Sequence, residues 1–246
     1  MFSKYKIASA ITQGVSHKKT NTKCQDAILT LKKDNFIFLG VADGAGSKKE
    51  AYTASWFILN ILALEFENKL DKYLDSKNIN EKILSFLESS LYILSKYSKL
   101  EFEELSSTLL FALILENEYI IGHIGDGIIV NITQDNRLNI LSKPENGEFS
   151  NETYFCNTIK YKNRLRIYRG DVADIHNGLL LCSDGVEDAI YDYNNDKVID
   201  VCSKFINWLD SYEEEKVCHA LQHNLENNVS RVSNDDLSVI LLKQIV

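Results

Sequence analysis

The sequence predicts a single α+β domain spanning residues 1–246, with sheets layered against helices. Three observations carry that expectation. Apolar runs of strand length and stretches of helical spacing follow one another in the order strands, two helices, strands, two helices, strand. No internal repeat, low-complexity linker or break in composition divides the chain. With 45% hydrophobic and 25% charged residues over 246 positions, a chain of this size buries roughly 70–75% of its unfolded surface, so a core forms without disulfide or metal staples.

Residues 6–12 and 27–31 mix β-branched and small side chains and read as strands. Phe36 to Val41 is a continuous apolar run, the pattern of a strand buried on both faces, and it stops at Asp43-Gly44-Ala45-Gly46. Ala51, Ala54, Ser55, Ile58, Leu59, Leu62 and Phe66 recur at helical spacing and predict a helix over 49–68. Ile83, Leu87, Leu91 and Leu94 predict a second over 80–99. Strands at 109–115, 119–124 and 128–132, separated by Glu116-Asn117-Glu118 and Gly125-Asp126-Gly127, are expected to form an antiparallel meander. The polar stretch 142–158, with Pro144 and Asn146-Gly147, reads as a loop. Strands follow at 164–169 and 178–182, then helices at 194–209 and 212–228, and a last strand at 237–242 behind Asn234-Asp235-Asp236.

Composition excludes several functions. There are 35 acidic against 27 basic residues, for a net charge of −8. No Lys/Arg run exceeds two, which argues against a nucleic-acid surface. Five cysteines, odd in number and never spaced as CxxC, fit free thiols rather than a disulfide framework or a zinc knuckle. No stretch approaches 18 apolar residues and Met1 to Ala10 lacks the features of a signal peptide, so the expectation is a cytoplasmic protein with no membrane partner. His219 and His223 stand four apart but lack the glutamate of a zinc-protease helix, and Gly44-Ala45-Gly46-Ser47 lacks the lysine of a phosphate loop. Asp43-Gly44 and Asp184-Gly185 lack the Ser or Thr of a shared-proton aspartic dyad.

The informative pattern is in the aspartates. Asp26, Asp43, Asp126, Asp184 and Asp235 each lie at or beside the end of an apolar strand. Strand ends in one sheet system lie side by side, so these carboxylates converge where their repulsion is costly unless cations neutralise it. An all-oxygen cluster suits Mg²⁺ or Mn²⁺ rather than zinc. Two such ions can share a water, lower its pKa and present hydroxide to phosphorus, which is phosphoester hydrolysis. Glycine at position 44 allows its carbonyl close approach to an ion.

Gln25-Asp26-Ala27, Val41-Ala42-Asp43-Gly44, Ser107-Thr108-Leu109, Ile124-Gly125-Asp126-Gly127, Cys182-Ser183-Asp184-Gly185 and Asp235-Asp236-Leu237-Ser238-Val239 appear in the order and rough spacing of one family. Over residues 14–243 the chain resembles the metal-dependent protein phosphatases, also called protein phosphatase 2C, and within them a bacterial-type subgroup. The resemblance implies a sandwich of two antiparallel β-sheets flanked by pairs of α-helices. It also implies a serine/threonine phosphoprotein phosphatase with two Mn²⁺ or Mg²⁺ ions. By the same resemblance Asp43 is the bridging ligand, Gly44 the carbonyl ligand, and Asp184 and Asp235 complete one ion. Asp26 would bind a metal-coordinated water, Asp126 would serve a third, weaker ion, and Asp236 would support the ligands.

The chain also departs from that pattern. The arginine that holds substrate phosphate in many members is replaced by Asn21. The substitutes expected are in the loop of His17, Lys18 and Lys19, where a cation grips phosphate or His17 protonates the leaving oxygen. Asn151 and Thr153 are expected to line the cleft. The expected partner is a phosphoprotein, with a kinase encoded nearby and the protein itself a monomer. The rival expectation is a catalytically silent module that keeps the fold to bind a phosphoprotein or kinase; the full carboxylate set opposes it. A phosphatase of small molecules or nucleotides fits the cluster equally well and is disfavoured only by the resemblance.

Overall fold

The structure is a computed structural model that describes residues 2–145, 153–157 and 164–245. Its centre is a pair of five-stranded sheets. The first has the order β1-β12-β9-β6-β7, formed by β1 (Tyr5–Thr12), β12 (Leu237–Gln244), β9 (Leu179–Cys182), β6 (Ile128–Ile132) and β7 (Leu138–Ser142). The second has the order β2-β3-β4-β5-β8, formed by β2 (Ala27–Lys32), β3 (Ile37–Ala42), β4 (Leu109–Ile114), β5 (Glu118–Ile124) and β8 (Arg166–Asp171). Every pairing in both sheets is antiparallel.

Alternation along the strands builds four layers. In β3, Leu39 and Val41 point between the sheets toward Leu181, Ile240 and Leu242. Phe38 faces the other way, onto Ile58, Leu62 and Phe66 of α2 (Ala51–Leu74) and Ile83 and Leu87 of α3 (Ile79–Ser98). On the far side of the first sheet, Ala10, Val130 and Leu180 pack on Cys202 and Ile206 of α5 (Val201–Ser211) and Val217 and Leu221 of α6 (Glu214–Asn227). Covered on both faces, β3, β4 and β9 carry no polar side chain, which is why they read as unbroken runs rather than as an alternation.

The helix-flanked sandwich agrees with the expectation, and five details correct it. The expected meander breaks after β5. Leu109 pairs with Ile124 in the second sheet, but β6 pairs with β9 and β7 in the first, so Gly125-Asp126-Gly127 is a crossing between sheets. Gly125 takes φ +117°, and a Cβ at Gly127 would stand 2.4 Å from the Cys182 carbonyl oxygen, so both glycines are required there. Strand β7 was not anticipated. The segment holding His17, Lys18 and Lys19 is a short helix, α1 (Val15–Thr20), not a loop. The helix expected from 194 begins at 201: Asp192 accepts the backbone N–H groups of Asn194 and Asn195 and turns the chain between two short strands, β10 (Tyr191–Asp192) and β11 (Lys197–Val198). A further unanticipated helix, α4 (Asp184–Ile190), starts at the expected ligand Asp184.

Candidate metal centre and active site

The strand ends deliver the acids to one end of the sandwich. Asp43 follows β3, Asp126 lies in the crossing, Asp184 follows β9, Asp26 precedes β2 and Asp235 precedes β12. Carboxylate oxygens of Asp43, Asp126 and Asp184 all lie within 4.8 Å of one another. The turn at Asp43 is held by Thr108, whose backbone N–H donates to the Asp43 carbonyl at 2.8 Å and whose hydroxyl accepts from the Asp43 N–H at 2.9 Å. Ser107 adds a hydroxyl donated to the same carbonyl at 2.9 Å, and Gly44 N–H donates to the Gln25 carbonyl at 3.1 Å. A Cβ on Gly44 would come within 2.7 Å of the backbone of Ala51. Glycine is therefore required there by close approach of α2, a reason the sequence reading did not foresee.

Burial and mutual repulsion act together on these acids. Burial first, then the charges of Asp184, Asp26, Asp126 and Asp235, push Asp43 well above the usual carboxylate range. Asp184 is raised by burial and by Asp126, Asp235 and Asp26. Asp126 is raised by burial and by Asp235. Asp26 is pushed up to about 7, mainly by burial, although Ser183 donates its hydroxyl to Oδ2 at 2.7 Å. The other oxygens of Asp26 and Asp126 (Oδ1 in each) are buried with no hydrogen-bond partner among the described residues. Orphaned carboxylate oxygens beside mutually repelling carboxylates fit hard divalent cations bound through oxygen.

Asp235 is solvent-exposed, and its Oδ1 accepts the N–H of Asp236 at 2.7 Å. Asp236, only 1% exposed, is satisfied by protein alone. Its Oδ1 accepts from Gly14 N–H at 2.6 Å, and its Oδ2 accepts from Gln25 N–H at 2.6 Å and faces His17 Nδ1 at 2.8 Å. It ties the entry to α1, the residue before Asp26 and β12 together. His17 therefore comes to the acidic end, with a ring nitrogen within 4.8 Å of the carboxylate oxygens of Asp235 and Asp236. Lys18 and Lys19 point to solvent. Asn21, where the arginine was missing, closes α1 in the left-handed region at φ 56°, a conformation asparagine accepts more readily than arginine.

Thr153 donates its hydroxyl to Asp126 Oδ2 at 2.6 Å; Asn151 lies outside the described residues. His219 and His223 are exposed on α6, and all five cysteines are free. Sequence reasoning missed Ser183 and Glu187. The first looks like an ordinary turn serine; the second is a buried acid on α4, pushed up to about 8 by burial. The alternation of α4 was the signal available for Glu187, and the helix was too short to register.

Two helix-flanked antiparallel sheets thus gather carboxylates at their strand ends, an oxygen-rich set that fits divalent cations. The sequence pattern of Protein phosphatase 2C matches residues 13–229. The chain belongs to the protein phosphatase 2C family and is a serine/threonine protein phosphatase by that membership. Solved structures agree on the fold. The catalytic domain of the serine/threonine protein phosphatase PstP, crystallised with two manganese ions, is 16% identical with TM-score 0.65, the match covering 98% of this chain and 99% of that one. Serine/threonine phosphatase Stp1 from Staphylococcus aureus is 18% identical with TM-score 0.65, over 96% of this chain and 94% of that one. PppA, a regulatory component of the type VI secretion system in Pseudomonas aeruginosa, is 17% identical with TM-score 0.62, over 97% of both chains. No curated protein sequence gives a significant match.

Proposed function

We propose that this chain hydrolyses phosphoserine and phosphothreonine in cytoplasmic phosphoproteins, using Mn²⁺ or Mg²⁺ held by Asp43, the Gly44 carbonyl, Asp184 and Asp235. Asp26 orients water and Asp126 serves a further ion. The observation that carries this reading is the convergence of Asp43, Asp126 and Asp184 oxygens within 4.8 Å, with buried oxygens of Asp26 and Asp126 left for a ligand. When bound, the ions supply a water of lowered pKa and offset charge on the phosphoryl oxygens.

The chain's own residues do the rest. Ser183 holds Asp26 by Oδ2, leaving Oδ1 to accept a hydrogen bond from water. Asp236 holds His17 through Nδ1 at 2.8 Å, which leaves Nε2 as the nitrogen that meets a phosphate or donates a proton to the leaving oxygen. Asn21 has no cationic group, so His17, with Lys18 and Lys19 on the same short helix, takes the substrate side of the site, and Thr153 orients Asp126.

The test is turnover of an aryl phosphate and of phosphoserine and phosphothreonine peptides with Mn²⁺, with Mg²⁺ and with chelator. Turnover that needs either ion and stops with chelator is expected. Turnover that persists in chelator refutes the metal reading. Absence of turnover under all conditions, together with retained phosphopeptide binding, favours the silent module, the reading that the missing arginine supports.

A further inference from the structure

Away from the acid cluster, the outer face of α3 and the short helical turn Phe102–Glu104 enclose a groove of about 680 Å³ lined by Glu88, Ser89, Tyr92, Ile93, Phe102 and Glu103. Its floor is apolar. Tyr92 and Ile93 are each 54% exposed, and the rings of Tyr92 and Phe102 meet edge-on with centroids 6.4 Å apart. Its rims carry Glu88 and Glu103, neither of which has an ion-pair partner among the described residues. The ammonium of Lys96 already lies over the Tyr92 ring at 5.0 Å, so this face accepts a cation against an aromatic wall.

The groove is joined to the metal centre by a short strap. Thr153 touches Asp126, Cys156 N–H donates to the Ser107 carbonyl at 2.9 Å, and Asn157 donates to the Phe102 carbonyl at 3.0 Å. Four peptide steps separate Thr153 from Asn157, so the strap spans at most about 14 Å. An extended peptide, at roughly 3.3 Å per residue, covers that distance in about four residues.

Resting on the phosphatase reading above, we infer that this groove docks the substrate itself: a segment carrying an aliphatic side chain beside a lysine or arginine, about four residues from the phosphoserine. The aliphatic group fills the floor between Tyr92, Ile93 and Phe102, and the cation lies between Glu88 and Glu103. An acidic flank is repelled by the same pair.

The experiment uses the full chain with Mn²⁺ and fluorescein-labelled phosphoserine peptides carrying Leu-Arg or Leu-Glu at that distance, on either side of the phosphoserine. The readout is kcat/KM for each peptide divided by that for an aryl phosphate. Exposed ion pairs contribute roughly 2–5-fold each, so a preference on the order of 10-fold for Leu-Arg is expected, on one side of the phosphoserine only. Glu88→Lys with Glu103→Lys should reverse it, and Ile93→Asp should lower turnover of the Leu-Arg peptide. Equal ratios for the two peptides, or a preference that the variants leave in place, overturn the inference. So does a dimer in sedimentation that Ile93→Asp dissociates, because a second copy would then be the occupant. If neither peptide nor aryl phosphate is turned over, the phosphatase reading fails on its own. Anisotropy of the same labelled peptides then decides for the groove: tighter Leu-Arg binding lost in the charge-reversed variant supports it, and equal binding overturns it.

Discussion

Replacing Asp236 by alanine tests whether the acidic end is held by protein hydrogen bonds before any ion arrives. The carboxylate is 1% exposed and meets three donors at 2.6, 2.6 and 2.8 Å, two of them backbone N–H groups of Gly14 and Gln25. Each buried donor left unpaired costs about 1–3 kcal/mol, so two orphaned N–H groups predict a loss of about 2–6 kcal/mol. At about 2–4 °C per kcal/mol for a chain of this size, the melting temperature should fall by roughly 4–24 °C. Asp236→Asn is the sharper variant: it keeps an acceptor for Gly14 but turns an NH₂ toward Gln25 N–H, so about half the loss is expected. Urea titration with and without Mn²⁺ measures both. Water entering the gap would satisfy the donors and shrink the effect. An Asp236→Ala protein within 0.5 kcal/mol of wild type would falsify the hub.

Other outcomes follow from the same geometry. Asp43→Asn should reduce turnover by orders of magnitude yet raise the melting temperature in chelator, because it removes one of several repelling buried acids; a destabilised metal-free variant would contradict that account. Glu187, pushed up to about 8 from an ordinary 4.5, holds a proton in the folded chain that the unfolded chain releases. Its contribution is complete below about 4.5 and is lost as pH rises toward 8, so Glu187→Gln should flatten the fall of melting temperature between those values and stabilise at pH 8. Scanning fluorimetry across pH reads this, and an unchanged slope removes Glu187 from the explanation. His17→Ala should spare aryl phosphate, whose leaving group needs little protonation, and lower kcat on phosphoserine peptides, while Lys18→Ala with Lys19→Ala should raise KM alone. Wild-type kinetics in all of these variants would leave the α1 side chains without a substrate role.

Much of this was legible in the residues because the strands are buried on both faces. Phe36 to Val41 and Leu109 to Leu115 are unbroken apolar runs, and the acids that punctuate them come together simply because strand ends are neighbours. What was hidden depends on partners distant in sequence. Strand β6 could not be assigned to its sheet, since Ile128 to Ile132 fits either and only the glycines flanking Asp126 steer it. Helix α1 is six residues long, too short for periodicity, and is fixed by contacts such as Ser16 N–H to the Asn234 carbonyl at 3.0 Å. Asp236 looked like a supporting residue beside Asp235; that it gathers Gly14, His17 and Gln25 is a fact about chain segments more than 200 residues apart.

The register of β12 has a consequence for biosynthesis. It lies between β1 and β9, pairing Tyr5 with Gln244 and Cys182 with Val239, so an inner strand of the first sheet is made from residues that leave the ribosome after every other strand. The second sheet, built from residues 27–171, can close during synthesis, since domains fold as their segments emerge. Until β12 is threaded in, β1 has no neighbour on that side, Asp235 and Asp236 are not held in place, and His17 has no fixed carboxylate to meet. A nascent chain arrested before residue 237 would therefore carry a folded half-sandwich in which the acids behind β12 are not yet placed.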